Sequence, residues 1–308
     1  MAAGMTRLTS GKSHPELAQL VCERIGYPVG SEALRSSRFS NGETCVSIET
    51  SVRGADVFIL QTASEPVNDM LMELLIAISA CKIASARRIT AVIPCYPYSR
   101  QDKKDRSRAP ITAKLVANML ECAGCNHVIT MDLHASQIQG FFNIPLLAEK
   151  TMIEYIRRTY DMENLVIVSP DAGGAKRAAT IADKLRVDLA IIHKERKVAN
   201  QVSRMILVGN VAGRVAVLVD DIADTCGTLA LASRILKEQG ARQSVAIIAH
   251  GFLSGPSVAV VEASDLDALV VANTLPLPVQ ARSCAKISQF DVSSTFAEAI
   301  RRTHNGES

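Results

Sequence analysis

The sequence predicts an α/β protein of two similar domains, each a mostly parallel sheet flanked by helices. Three observations carry this. Apolar runs of strand length alternate with longer helical segments through most of the chain, and such alternation implies parallel strands joined by right-handed crossovers. One strand–turn–helix–strand unit occurs twice, as residues 57–61 leading to 89–93 and as residues 215–219 leading to 244–248. Finally, 48% of the 308 residues are hydrophobic but only 4% are aromatic, with no Trp. A core of Ala, Ile, Leu and Val suits parallel strands buried on both faces, and this length fits two domains better than one.

Taken in order, the unbroken run Val57-Phe58-Ile59-Leu60 predicts a buried strand over 57–61. A polar turn then leads to a helix over 70–86 and a strand over 88–94. A helix over 113–123 precedes a strand over 127–131. The alternation resumes with a helix over 151–158, a strand over 165–168, a helix over 175–185 and a strand over 188–192. A strand over 215–219, a helix over 229–240 and a strand over 243–249 follow. Short apolar runs bounded by turn residues have the length of buried strands; the segments between them have the length of helices. The boundary falls after Ile144-Pro145, giving domains over 6–147 and 148–308.

Bulk properties narrow the function. A formal net charge of +3 is too small for a nucleic-acid binder. No segment has the roughly 18 uninterrupted apolar residues of a membrane span, and residues 1–11 lack the apolar core of a signal peptide. Most of the eight cysteines sit in apolar stretches and read as reduced packing residues of a cytoplasmic protein. Cys122 and Cys125 form a CxxC, but no second pair and no close His pair completes a zinc site.

The most informative run is Val217-Leu218-Val219-Asp220-Asp221-Ile222-Ala223-Asp224-Thr225-Cys226-Gly227-Thr228. An apolar strand ends in two carboxylates, and a turn of small and hydroxylated residues opens a helix. A helix N-terminus offers unpaired backbone N–H groups and the positive end of a dipole to phosphate. Carboxylates accept the hydrogen bonds that a ribose diol donates. Phosphate at one end and a diol at the other describe a ribose 5-phosphate. An isolated Asp-Asp often merely ends a buried strand; strand, diacid, turn and helix together outweigh that reading.

Four further motifs fall at the carboxyl ends of strands, where open α/β sheets bind ligands. Val168-Ser169-Pro170-Asp171-Ala172-Gly173-Gly174-Ala175-Lys176-Arg177 is a second strand-to-helix turn. Gly173 and Gly174 let a diphosphate approach the backbone, and Asp171 is a hard oxygen ligand for magnesium or a partner for a sugar hydroxyl. Tyr96 to Pro110 is a loop with five cations and two acids, in which Arg100 can stack on a purine and pair with phosphate. Met131-Asp132-Leu133-His134 ends another strand, which places Asp132 and His134 on the same face. Lys194 and Arg196 project together if the chain stays extended, suited to clamping charge on phosphoryl oxygens.

Together these segments closely resemble ribose-phosphate diphosphokinase, also called phosphoribosyl pyrophosphate synthetase, and most of all its phosphate-activated class. The resemblance runs from Phe39-Ser40-Asn41-Gly42-Glu43-Thr44 to Arg301-Arg302-Thr303-His304-Asn305-Gly306-Glu307-Ser308. It is densest in residues 100–110, 131–142, 169–177, 193–197 and 219–228. It implies two tandem phosphoribosyltransferase-like domains, and transfer of diphosphate from ATP to the C1 hydroxyl of ribose 5-phosphate with release of AMP. Phe39, Asn41 and Glu43 match the family's adenine-binding segment, which reaches in from a neighbouring subunit; Arg100, Gln101 and Asp105 match its other ATP contacts. His134 and Asp171 match its Mg2+-site residues, and Lys194 and Arg196 its catalytic flexible loop. Asp220, Asp224, Thr225, Cys226, Gly227 and Thr228 match its ribose 5-phosphate site. The resemblance also implies a hexamer built from dimers, and synthetase-associated subunits as partners.

Three departures bear on regulation. The chain passes directly from Phe141-Phe142-Asn143-Ile144-Pro145 to Leu146, where the family usually has a few more residues including an Asp-Asn pair near its regulatory phosphate site. It ends at Ser308, where relatives continue through a short apolar segment, and Val198 stands where a second lysine is common. Ser51, Arg53, Ser85 and Gln139 still match regulatory positions. A nucleobase phosphoribosyltransferase would share only the 220–228 run. A non-catalytic synthetase-associated subunit is the other alternative, but such relatives have degenerate loops at 100–108, 173–174 and 225–228, and those here are intact.

Overall fold

A computed structural model describes residues 6–26, 34–104, 106–149, 151–195 and 204–307. Its contacts divide into two units. In the first, the order is β1 (Thr6–Ser10), α1 (Pro15–Ile25), β2 (Leu34–Arg38), β3 (Thr44–Ile48), β4 (Asp56–Leu60), α2 (Val67–Ile83), β5 (Arg88–Ile93), α3 (Thr112–Ala123), β6 (His127–Met131), a 3-10 turn and β7 (Leu146–Glu149). Five strands form a parallel sheet in the order β1-β4-β5-β6-β7. Every residue of β4 is buried, as its apolar run requires. The β2–β3 hairpin forms a separate antiparallel sheet. Helix α1 starts where His14 Nδ1 accepts the Leu17 N–H at 3.3 Å with Pro15 at its first position, and stops at Gly26, whose φ of +80° suits glycine.

The second unit contains α4 (Met152–Thr159), β8 (Leu165–Ser169), α5 (Ala175–Leu185), β9 (Asp188–Glu195), β10 (Arg204–Val208), β11 (Val215–Ala223), α6 (Gly227–Glu238), β12 (Gln243–Gly251), α7 (Ser257–Ala263), β13 (Ala268–Ala272), α8 (Val279–Arg282) and β14 (Ile287–Phe290). Its seven-stranded sheet runs β10-β9-β8-β11-β12-β13-β14, and β10 alone is antiparallel to its neighbour. Helix α9 (Ser293–Asn305) closes the chain. The core of this sheet is Val, Ile, Leu and Ala, including Val166, Val168, Ala216, Leu218, Ala246 and Ile248.

The two sequence repeats are β4–β5 and β11–β12, each a pair of parallel neighbours. Their surroundings differ. In the first sheet the strands follow chain order, so no reversal of direction occurs among the described strands. In the second, β8 leads by α5 to β9 on one side, while β11 to β14 extend on the other. The crevice at the carboxyl ends of β8 and β11 is therefore a topological switch point, the place where open α/β sheets bind ligands.

Four departures from expectation concern the second sheet and the domain boundary. Strand β11 continues to Ala223 because β12 goes on pairing with it, Ile222 with His250 and Ala223 with Gly251, so the two aspartates lie within the strand. Helix α6 opens at Gly227, two residues earlier than expected. Strand β9 continues to Glu195, paired with β10. Lastly, a second domain running to 308 was expected, but Thr274–Pro276 and Asp291–Ser308 cluster with the first unit. The reason is a set of contacts from α9 and its approach. Arg24 pairs with Asp291 at 2.6 Å, Thr62 Oγ1 donates to Thr274 O at 2.8 Å, and Arg88 donates to Thr303 O at 2.8 Å. No described helix is long and apolar enough to cross a membrane.

Candidate active site

At the switch point of the second sheet, Asp220 and Asp221 are held by one guanidinium. Arg177 on the first turn of α5 donates to Asp220 Oδ1 at 3.2 Å and to Asp221 Oδ1 at 2.8 Å. Asp221 is buried at 4% exposure, and its backbone N–H turns back onto Asp220 Oδ1 at 2.9 Å. Two adjacent carboxylates in a partly dry site resist a second charge. Burial, and then the hydrogen bond and charge of Asp221, push Asp220 up to about 7, while Arg177 pulls it down. The proton is a property of the pair. Sequence reading placed Arg177 beside the diphosphate turn; its pairing with the diacid, more than forty residues away in the chain, carries no local signal.

The turn after β8 is shaped by its glycines. Asp171 Oδ1 accepts the Gly174 N–H at 3.0 Å, and Ser169 Oγ donates to Asp171 O at 2.7 Å. A Cβ on Gly174 would stand 3.0 Å from Ser169 Oγ and 3.9 Å from Asp220 Oδ1. The backbone thus passes close to the diacid, and only glycine leaves that space clear. Asp171 Oδ2 takes no hydrogen bond from the described residues, leaving one hard oxygen of the kind that suits magnesium on phosphates.

Beyond β11, Cys226 adopts a left-handed φ of +60° at the head of α6. Its side chain is buried in the core, and burial followed by the nearby Asp224 raises the thiol to about 11. Its part in the site therefore belongs to its backbone. Thr225, Gly227 and Thr228 are exposed around the helix start, and a Cβ on Gly227 would meet nothing within 4 Å. The loop after β12 braces this turn, with Phe252 N–H donating to Ala223 O at 2.9 Å and Ser254 N–H to Asp224 O at 3.1 Å.

In the first unit, Arg100 and Gln101 are exposed in the loop after β5. Thr112 Oγ1 donates to Gln101 Oε1 at 2.5 Å and Gln137 Nε2 to Asp102 Oδ2 at 2.5 Å, which fixes the loop's base. Asp132 and His134 do not share a face of an extended strand as expected. Strand β6 ends at Met131, and Asp132 turns with φ +40°, leaving Asp132 buried and His134 exposed. Phe39, Asn41 and Glu43 sit at the tip of the β2–β3 hairpin, with Phe39 56% exposed. Asn41 Oδ1 accepts the Glu43 N–H at 3.1 Å and Phe39 N–H donates to Glu43 O at 2.9 Å.

Lys194 lies in the β9–β10 ladder, opposite Met205. Arg196 and Asp105 fall outside the described residues. Ser51 and Arg53 precede β4 and Ser85 precedes β5, and Gly54 N–H donates to Ser85 O at 2.9 Å. Gln139 lies beyond the carboxyl end of β6, so the described chain does not bring it to them. No cluster of three or more His, Cys, Asp or Glu able to hold a metal occurs among the described residues.

Comparison with known proteins shows what the whole chain is similar to. Residues 6–124 match the N-terminal domain of ribose phosphate pyrophosphokinase, and residues 198–308 match a phosphoribosyl synthetase-associated domain. The chain is 58% identical to ribose-phosphate pyrophosphokinase 2 of Schizosaccharomyces pombe, over all of this chain and 97% of that one. The crystal structure of phosphoribosylpyrophosphate synthetase from Mycobacterium smegmatis superposes with a TM-score of 0.91 at 39% identity, covering 98% of this chain and 99% of that one. Identity along the whole chain and a fold shared over nearly all of it place this protein in the ribose-phosphate pyrophosphokinase family.

Proposed function

We infer that this chain makes 5-phosphoribosyl 1-diphosphate from ATP and ribose 5-phosphate, releasing AMP. The observation that supports this most is the diacid Asp220–Asp221, held by Arg177 at a switch point between two helix N-termini. Asp220 accepts from the ribose hydroxyls together with Asp224, and the turn from Thr225 to Thr228 takes the 5-phosphate. The turn at Asp171, Gly173 and Gly174 lies along the diphosphate.

In the reaction the C1 hydroxyl oxygen attacks the β-phosphorus of ATP. A C1–O–P bond forms, the bridge between α- and β-phosphorus breaks, AMP leaves, and the hydroxyl proton is released. Little covalent work falls to the protein, so positioning and charge stabilisation dominate. Lys194 and Arg196 supply cations to the oxygens on which charge grows. Phe39, Asn41, Glu43, Arg100, Gln101 and Asp105 hold ATP. Asp171 and His134 each offer a ligand to magnesium, which when bound neutralises phosphate charge.

On this reading the chain works in the cytoplasm as a homo-oligomer, a hexamer built from dimers. Ser51, Arg53 and Ser85 form the basis of a regulatory anion site, with Gln139 supplied from elsewhere. The reading is tested with ATP labelled at the γ-phosphate. The label is expected on the ribose product in equal amount to AMP. Label in free orthophosphate, or formation of ADP, would overturn the assignment.

A further inference from the structure

The β2–β3 hairpin that carries Phe39, Asn41 and Glu43 is not part of the five-stranded sheet. A lone two-stranded hairpin is marginal in water, so its aim must be fixed by what it rests on. That support is α2. Leu34, Val46 and Ile48 of the hairpin belong to the apolar cluster that includes Leu71, Leu74 and Leu75. Beside these contacts runs a polar seam. Ser36 Oγ donates to Glu73 Oε2 at 2.6 Å, and Arg38 pairs with Asp69.

The two contacts are in register. Ser36 and Arg38 are two residues apart and share one face of β2, while Asp69 and Glu73 are four apart and share one face of α2. A two-residue strand step of about 6.7 Å is close to one helical turn of about 5.4 Å. At the outer end Arg38 also donates to Gly42 O at 3.3 Å, within the tip itself. At the inner end Glu73 is 4% exposed, and its Oε1 accepts Lys12 N–H at 2.8 Å and Gln61 Nε2 at 3.2 Å. The packing is close: a Cβ on Gly11 would lie 2.3 Å from Gln61 Oε1 and 2.4 Å from Glu73 Oε1. Glu73 is therefore locked to the ends of β1 and β4, and passes that fixity to the hairpin through Ser36.

We propose that Glu73 is a positioning residue for ATP, acting through Ser36 to aim the hairpin tip. This rests on the reading of that tip as an ATP contact. The test is steady-state kinetics on the full chain, varying each substrate, for Ser36→Ala, Glu73→Gln and Phe39→Ala. Ser36→Ala removes only the hairpin's hydroxyl and should raise KM for ATP about fivefold, the net scale of one hydrogen bond. KM for ribose 5-phosphate and the melting temperature should hold. Glu73→Gln, whose amide can still bond Ser36, should stay within about twofold of the parent for ATP. An unchanged KM for ATP in Ser36→Ala, or a parallel rise for both substrates, would overturn the proposal. Phe39→Ala separates the two readings: if it also leaves KM for ATP unchanged, the ATP role of the tip fails; if it raises KM while Ser36→Ala does not, only the positioning role fails.

Discussion

The carboxyl of Asp220 is pushed up to about 7 although an arginine stands beside it, and the proton belongs to the Asp220–Asp221 pair. Burial and Asp221 drive this, and Arg177 opposes it. Because the folded pair keeps a proton that an unfolded aspartate gives up near pH 4, its contribution to stability is full below that value and is lost as pH rises towards about 7. If Asp220 binds the sugar as proposed, the same proton bears on that binding, since an ionised carboxylate accepts from a hydroxyl where the acid form cannot do so fully. Removing the cation should move the transition upward. In Arg177→Gln, the midpoint of kcat/KM for ribose 5-phosphate against pH is expected to rise by about one unit, the scale of one neighbouring charge. An unmoved midpoint would detach the diacid from sugar binding. Asp224→Ala should raise KM for ribose 5-phosphate by about tenfold with KM for ATP unchanged, the cost of one charged hydrogen bond. The diacid and both turns were legible in sequence because each is a local pattern. The Arg177 clamp was not, because Arg177 on α5 and the diacid on β11 lie far apart in the chain and meet only in the fold.

At the scale of elements, β6 and α5 fall at the residues that the sequence predicts, since each is an unbroken pattern ended by a turn signal. Strand β11 was read short. Aspartates look like strand ends, and only the pairing with β12 explains their place inside the ladder. The β2–β3 hairpin escaped notice for a related reason: Arg35-Ser36-Ser37-Arg38 shows no apolar alternation, and its strand form rests on its partner and on α2. Strand β9 brings Lys194 to the end of a ladder from which residues 196–203 continue. If the cations there stabilise the transition state, Lys194→Ala and Arg196→Ala should each lower kcat by about a hundredfold with little change in stability. Near-parental turnover in both would remove this segment from the mechanism.

For the whole molecule, the return of the chain's end to the first unit is the feature least visible in sequence. It centres on Asp56, 1% exposed at the start of β4. Arg87 approaches it at 2.7 Å, Arg88 at 2.8 Å and His304 Nδ1 of α9 at 2.9 Å. Burial works to raise this carboxyl, but the hydrogen bonds from Arg87 and His304 and the charges of Arg88 and Arg87 outweigh it and hold it below the ordinary value. Its contribution is therefore present above about pH 4 and is lost as pH falls through the lowered value. Asp56→Asn should cost about 3 kcal/mol near neutrality, by leaving two arginines without their counter-charge. Urea unfolding followed by circular dichroism measures this, and a loss below about 1 kcal/mol would mean that α9 docks by its apolar face alone.

The central claim is that a sugar-phosphate seat and a triphosphate-handling loop in one chain perform diphosphate transfer. Its most direct test is AMP release from magnesium-ATP by the purified chain, with and without ribose 5-phosphate, across a series of inorganic phosphate concentrations. AMP formation that depends on the sugar phosphate is the expected result. AMP formed equally without the sugar, or none at any phosphate level from a folded chain, would contradict it.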